Sequence, residues 1–177
     1  MKQDVLTLLR AQLAQSHPAC AVRWVDSTGS TNADLLQAAK AGLLDGPALL
    51  AAGGQTAGRG RQGRNWHDDA QTSVLFSLAW PFPARHDIGP LSLAVGVWLA
   101  QALHALGARS VRLKWPNDLL LPAPEAPGTW RKLGGVLVEV LGEGLPDAAH
   151  WRTRCAPLRG DLDPFKNVND SLGHMTG

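Results

Sequence analysis

The run Gly53-Gly54-Gln55-Thr56-Ala57-Gly58-Arg59-Gly60-Arg61-Gln62-Gly63-Arg64-Asn65-Trp66 fits neither a helix nor a strand. Each glycine inside a regular element costs roughly 0.5–1 kcal/mol relative to alanine, so the run reads as a loop. It lies between two strand-like apolar stretches, residues 47–52 and 74–80. Gln55 therefore stands just past the end of a strand, where side chains commonly line a cleft. Arg59, Arg61 and Arg64 alternate with Gly58, Gly60 and Gly63. Glycine allows close backbone approach, and convergent amides can cradle an anion. Arginine adds a rigid fork suited to phosphate or carboxylate. The run points to a mobile cationic lid over a phosphorylated or adenylylated ligand. A solvated basic linker and a nucleic-acid patch are the alternatives.

The flanking segments suggest an α+β domain. Val5, Leu8, Leu9 and Leu13 have helical spacing, predicting an amphipathic helix over residues 2–15. Residues 21–25 read as a strand. Thr31-Asn32-Ala33-Asp34 has the spacing of a capping box, predicting a helix over residues 35–41 ended by Gly42. Val74, Phe76, Leu78 and Trp80 alternate with Ser73, Leu75, Ser77 and Ala79, as in a strand with one strongly buried face. Pro81 and Pro83 are expected to end it. Residues 91–106 are apolar on most sides and predict a buried helix on a sheet. Residues 110–115 and 119–121 read as strands joined at an Asn117-Asp118 turn. A proline-rich hairpin tip over residues 122–128 leads to a further strand over residues 133–140. The expected fold is a mixed, largely antiparallel sheet packed with helices.

Composition narrows the partners. The chain has 177 residues, suited to one domain with or without a tail. A net charge of +2 is too mild to require nucleic acid. The two cysteines, Cys20 and Cys155, have no metal-ligand spacing and form no disulfide framework, which fits a reducing cytoplasm. The histidines are scattered without metal spacing. No signal peptide or membrane span is evident.

Polar groups recur where a plain core needs none. Ser30-Thr31-Asn32 serves as a helix cap, or binds a polar ligand group at the helix N-terminus. Lys114-Trp115-Pro116-Asn117-Asp118 places a cation, an amide and a carboxylate together. Asp118 either closes a turn with its side chain or helps hold magnesium with nucleotide phosphates. Lys132, beside Gly134 and Gly135, is either solvated or neutralises a ligand anion. Together these groups suit attack of an oxyanion on the α-phosphorus of ATP, where cations screen two repelling anions. No GxSxG, no Walker-type loop and no paired catalytic cysteine and histidine occur.

In this order, Ser30-Thr31-Asn32, Gln55 through Trp66, Lys114 through Asp118, and Lys132-Leu133-Gly134-Gly135-Val136-Leu137-Val138-Glu139 resemble the catalytic domain of biotin protein ligases. The resemblance covers roughly residues 21–142. It implies activation of biotin with magnesium-ATP to biotinyl-5′-adenylate. Transfer to a lysine of a biotin carrier protein, such as that of acetyl-CoA carboxylase, would follow. It implies biotin contacts for Ser30, Thr31, Asn32, Gln55, Arg59, Gly60, Arg61 and Lys132. It implies catalytic roles for Arg61, Lys132 and Lys114. Gly58, Arg64, Trp66, Asn117 and Asp118 would lie on the nucleotide side, with Asp118 toward the metal. Gly134 and Gly135 would let their strand pass close to the ligand.

The chain also departs from that pattern. About 20 residues precede the first strand, too few for an N-terminal helix-turn-helix, so DNA binding is not expected. After residue 142 the expected Gly-x-Gly-x-Asn strand and small barrel are not legible. The stretch from Asp161 to His174 resembles a fragment of a diguanylate cyclase domain without its active-site hairpin. The expectation is a ligase domain over residues 1–142, C-terminally truncated and with an uncovered sheet edge. Residues 143–177 would be an atypical tail and not a separate domain. Competing readings are a lipoate ligase or octanoyltransferase, an inactive biotin-binding remnant, and a nucleic-acid binder with steep salt dependence.

Overall fold

The computed structural model describes residues 2–66, 73–82, 90–141, 154–155 and 158–162. Helix α1 (Lys2–Ser16) precedes strand β1 (Ala21–Val25). Arg10 holds the helix to that edge strand by donating from Nε and Nη2 to the Val22 carbonyl at 3.2 and 2.9 Å. Leu9 and Leu13 of the expected stripe are half-buried, whereas the side chains of Val5 and Leu8 lie outside the described set.

Helix α2 (Thr31–Lys40) begins earlier than residue 35, because Ser30 is the cap rather than Thr31. Gly42 follows the helix end with φ +67°, a left-handed conformation that glycine adopts without a Cβ penalty. Strands β2 (Ala48–Ala52) and β3 (Val74–Ala79) come next, then β4 (Pro81–Phe82). Strand β3 ends at Ala79, before Pro81 as expected, and Pro81 opens β4, which pairs with β8 (Arg154–Cys155) in a separate two-stranded ribbon. Proline is tolerated on such short edge strands. Pro83 lies outside the described residues. Helix α3 (Leu91–Ala105) leads to β5 (Arg112–Lys114), β6 (Asp118–Pro122) and β7 (Trp130–Val138).

The main sheet has the order β1-β2-β3-β9-β7-β6-β5, where β9 is Leu158–Leu162. Only β1 and β2 run parallel, and every other neighbouring pair is antiparallel. The mixed, largely antiparallel α+β architecture is the one expected. The uncovered edge is not found. Strand β9 pairs with β3 on one side and β7 on the other, so a segment from beyond residue 142 completes the sheet centre. Of the stretch that resembles a cyclase fragment, Asp161 and Leu162 belong to β9, and residues 163–177 lie outside the described set.

The helices cover opposite sheet faces. Leu35 and Ala39 of α2 pack with Ala48, Leu50 and Ala79. Leu91 and Val95 of α3 pack with Val136, and half-buried Leu78 joins them. Adjacent residues Leu78 and Ala79 thus point to different helices, as strand alternation requires. The more deeply buried face of β3 is Leu75, Ser77 and Ala79, not the face of larger residues. Small Ser77 and Ala79 let α2 sit close, while α3 lies chiefly over β5 to β7. Helix α3 is not buried all round either. Leu91, Val95, Gly96, Ala100 and Leu103 are buried, whereas Trp98 is 58% exposed. Gly96 permits the close approach to β5, since a Cβ there would lie 3.1 Å from Leu113 Cδ2. Among the described residues, no helix is long and apolar enough to cross a membrane.

Candidate active site

The site is built on the face that carries α2. Ser30 has extended backbone, φ −163° and ψ 123°, and its Oγ accepts from Ala33 N at 3.4 Å. Because Ser30 caps the helix, Thr31 is released from that duty. Asp34 does not close the box but accepts from Thr28 Oγ1 at 2.5 Å. Residues 54–57 run beside residues 28–29, with Thr56 N donating to Thr28 O at 2.9 Å and Ala57 N to Gly29 O at 2.8 Å. That pairing delivers Gln55 to the helix start. Thr31 donates to Gln55 Oε1 from its backbone N at 2.9 Å and from Oγ1 at 3.2 Å. The Thr31 and Ser77 hydroxyls are 2.8 Å apart. A hydroxyl has one hydrogen, so while Thr31 donates to Gln55, Ser77 must donate to Thr31. The Asn32 amide nitrogen donates to the Glu139 carboxylate. Ser30, Thr31, Asn32 and Ser77 are all buried.

The glycine-arginine loop folds as a closed hairpin. Trp66 N donates to Gly58 O at 2.9 Å and Gly60 N to Arg64 O at 2.7 Å. The tip is a single 3-10 turn, Arg61–Gly63, in which Gln62 and Gly63 have φ of 59° and 71°. Two successive left-handed residues reverse the chain sharply, and glycine accepts that conformation readily. Arg61 Nη1 donates to Asn117 Oδ1 at 3.0 Å, tying the loop to the β5–β6 turn. Asn117 is itself clamped to β7, with Nδ2 donating to Val136 O at 3.2 Å and its carbonyl accepting from Val136 N at 2.8 Å.

A cleft of about 390 Å³ lies between this loop and the β6–β7 hairpin. Lys132 Nζ pairs with Asp118 Oδ1 at 2.9 Å and sits 4.9 Å from the Trp66 ring centroid. Gly135 makes room for this pair, since a Cβ there would lie 3.3 Å from Lys132 Nζ and Cε. A β-bulge aims the lysine. In register, Leu119 faces Gly134 and Leu120 faces Lys132, which leaves Leu133 as an extra residue. Strict alternation would put Lys132 on the side of Gly134 and Val136, under α3. The extra residue returns Lys132 to the face of Asp118 and Gly135, while Leu133 enters the core with Ala100, Leu103, Val111 and Leu119.

The expected site residues thus form two neighbouring groups. Ser30, Thr31, Asn32 and Gln55 make a polar cluster at the α2 N-terminus. Arg59, Gly60, Arg61, Arg64, Trp66, Asn117, Asp118 and Lys132 line the cleft. Gly58 is buried at the loop base. Lys114 is in register with Asp118, yet it is exposed and outside the cleft lining. The sequence reading gave no role to Ser77 or Glu139. Ser77 had a signal, a hydroxyl in the middle of an apolar strand. Among the described residues, no three His, Cys, Asp or Glu side chains gather. Asp118 is the carboxylate that lines the cleft.

Residues 24–150 match the Biotin/lipoate A/B protein ligase family. The chain belongs to this family. Among its relatives, the bifunctional ligase/repressor BirA of Escherichia coli is 43% identical over 94 residues, covering 50% of this chain and 26% of that protein. The biotin–[acetyl-CoA-carboxylase] ligase of Mycobacterium tuberculosis is 40% identical over 141 residues, covering 68% of this chain and 47% of that protein. The chain therefore spans about a quarter to a half of the length of these curated relatives. The fold matches biotin acetyl coenzyme A carboxylase synthetase from Helicobacter pylori with bound biotinylated ATP. That match has TM-score 0.62 and 30% identity, covering 81% of this chain and 60% of the other. The biotin protein ligase of Aquifex aeolicus in complex with biotin and ATP matches with TM-score 0.61 and 25% identity, covering 80% and 51%. The architecture is that of a biotin protein ligase catalytic domain.

Proposed function

We propose that this chain activates biotin with ATP and passes it to a lysine of a biotin carrier protein. The carrier would be of the kind found in acetyl-CoA carboxylase, and the work would take place in the cytoplasm. The observation that carries the reading is that a buried polar cluster at the α2 N-terminus and a cationic cleft lie on the same face of one sheet. Ser30, Thr31, Asn32 and Gln55 offer paired donors and acceptors to a small polar ring. Arg59, Arg61 and Lys132 offer positive charge to a carboxylate and to the α-phosphate. The catalytic unit would be residues 1–142 together with β8 and β9.

In the first step a biotin carboxylate oxygen attacks the α-phosphorus of ATP. The bond to the pyrophosphate oxygen breaks, and a mixed anhydride forms. Lys132 has three N–H donors and gives one to Asp118, so two remain for the incoming carboxylate and the phosphate. Arg61 adds a fork beside them, pre-organised by Asn117. Such groups act by positioning and by stabilising charge in the transition state. Asp118 would offer a carboxylate oxygen to a magnesium ion bound with the nucleotide, whose charge would help neutralise the phosphates. Arg64, Gly58, Trp66 and Asn117 belong to the nucleotide side. Lys114 would act from the rim rather than from within the cleft. In the second step the carrier lysine amine attacks the acyl carbon, AMP leaves, and the amine loses a proton. The arginine loop shields the anhydride from water between the steps.

The test is pyrophosphate release by the purified chain with magnesium-ATP, with biotin, with lipoate and with neither. Biotin-dependent release is expected. Release that follows lipoate instead would move the chain to the lipoate branch. Biotin binding without release from folded protein would mark a remnant.

A further inference from the structure

We infer that Glu139 is a positioning residue that fixes the Asn32 side-chain amide, so that its oxygen faces the ligand as an acceptor for an N–H donor. The inference rests on the biotin reading and adds a specificity device to it. Asn32 occupies the first turn of α2 and is 4% exposed. Its amide could face inward by either end. A carboxylate accepts hydrogen bonds and cannot donate them, so the end that meets Glu139 is the nitrogen. The oxygen end is then turned away from Glu139. Asn32 Oδ1 is buried and has no hydrogen-bond partner among the described residues. Buried polar atoms in native folds are nearly always satisfied, so this oxygen is an acceptor open to a donor outside the described residues.

The neighbouring groups define what it would accept. Thr31 fixes the Gln55 amide in the same way, because a backbone N–H can only donate, so Gln55 meets Thr31 through its oxygen. The Asn32 oxygen therefore joins a set of side chains whose donor and acceptor ends are both assigned. A cyclic urea presents N–H donors beside a carbonyl acceptor, and it suits such a set. An amide flipped by half a turn would face those N–H groups with its own N–H, and two donors would meet.

Glu139 is well placed to prevent that flip. It follows β7 and shares the parity of Gly135 and Leu137, which puts it on the site face. Its bond to Asn32 crosses the line of β9 and joins residues 107 apart in the chain.

The experiment measures the biotin dissociation constant by calorimetry, and KM for biotin and ATP separately. The proteins are the wild type, E139A, N32D and the double variant N32D/E139Q, each checked by circular dichroism. E139A is expected to weaken biotin roughly tenfold to hundredfold with little change in KM for ATP. N32D places two carboxylates face to face and loses more. In N32D/E139Q the glutamine amide donates to the new aspartate, which keeps an oxygen toward the ligand, so biotin binding returns to within about tenfold of wild type. E139A that binds biotin like wild type, or a double variant no better than N32D, overturns the inference while the biotin reading stands. A wild-type chain that binds no biotin overturns both.

Discussion

Lys132 Nζ stands 2.9 Å from Asp118 Oδ1 across two neighbouring strands, and the bare Cα of Gly135 leaves the space they occupy. The cation is held in place by a carboxylate before any ligand arrives. An arriving anion meets a positioned donor rather than a solvated, wandering one, which lowers the ordering cost of binding.

Lys132→Ala is expected to lower biotin-dependent pyrophosphate release roughly 10²–10³-fold, the range for removing one pre-organised donor from a developing charge. The pair is partly exposed, with side-chain accessibilities of 42% and 25%, so stability should change by less than about 1 kcal/mol. Urea denaturation alongside the kinetic assay separates the two effects.

Gly135→Ala tests placement without removing charge. The added methyl meets Lys132 Cε and Nζ at 3.3 Å, so the ammonium must give by a little. If Lys132 holds the reacting anions as proposed, a shift of that size should cost up to about tenfold in kcat. Wild-type kcat in a folded Gly135→Ala protein would show that the lysine position does not govern the step.

Arg61→Ala removes both the loop tether to Asn117 and a cation at the cleft. Adenylate formation should fall roughly tenfold to hundredfold, as expected for lost charge-assisted hydrogen bonds. Arg61→Lys keeps the charge but not the fork, and should recover only part of the loss. Single-turnover measurement of the adenylate gives both values.

Two core substitutions probe the site's support. Ser77→Ala removes one hydrogen bond from the buried Thr31 hydroxyl, which keeps its bond to Gln55, and should cost about 0.5–1.5 kcal/mol. Leu35→Ala, at 1% exposure beneath α2, should cost about 2–5 kcal/mol. Chemical denaturation midpoints compare them directly.

Strand β1 and the start of β2 were legible because their apolar runs have clear stops at both ends. The cationic loop was legible as a loop because its alternating glycines and arginines suit neither a helix nor a strand. The cap was misread by one residue, since Ser30 and Thr31 are both good caps and only the extended backbone at Ser30 decides between them. The alternation in β3 announces one strongly buried face, but which face it is depends on which helix comes close. The bulge at Leu133 leaves no mark in the sequence, yet it decides where Lys132 points.

That central strand also sets an order of events during synthesis. Asn32 in α2 and Gln55 just after β2 go with the half-sheet β1-β2-β3, and Asp118 and Lys132 belong to the half-sheet β7-β6-β5. Both halves are synthesised before Leu158–Leu162. Until that last piece arrives, the groups that would read the ring and those that would hold the phosphate have no fixed separation. The nascent chain would carry every side chain of the site and still lack the ruler that spaces them, so catalytic competence is expected to appear abruptly rather than by degrees.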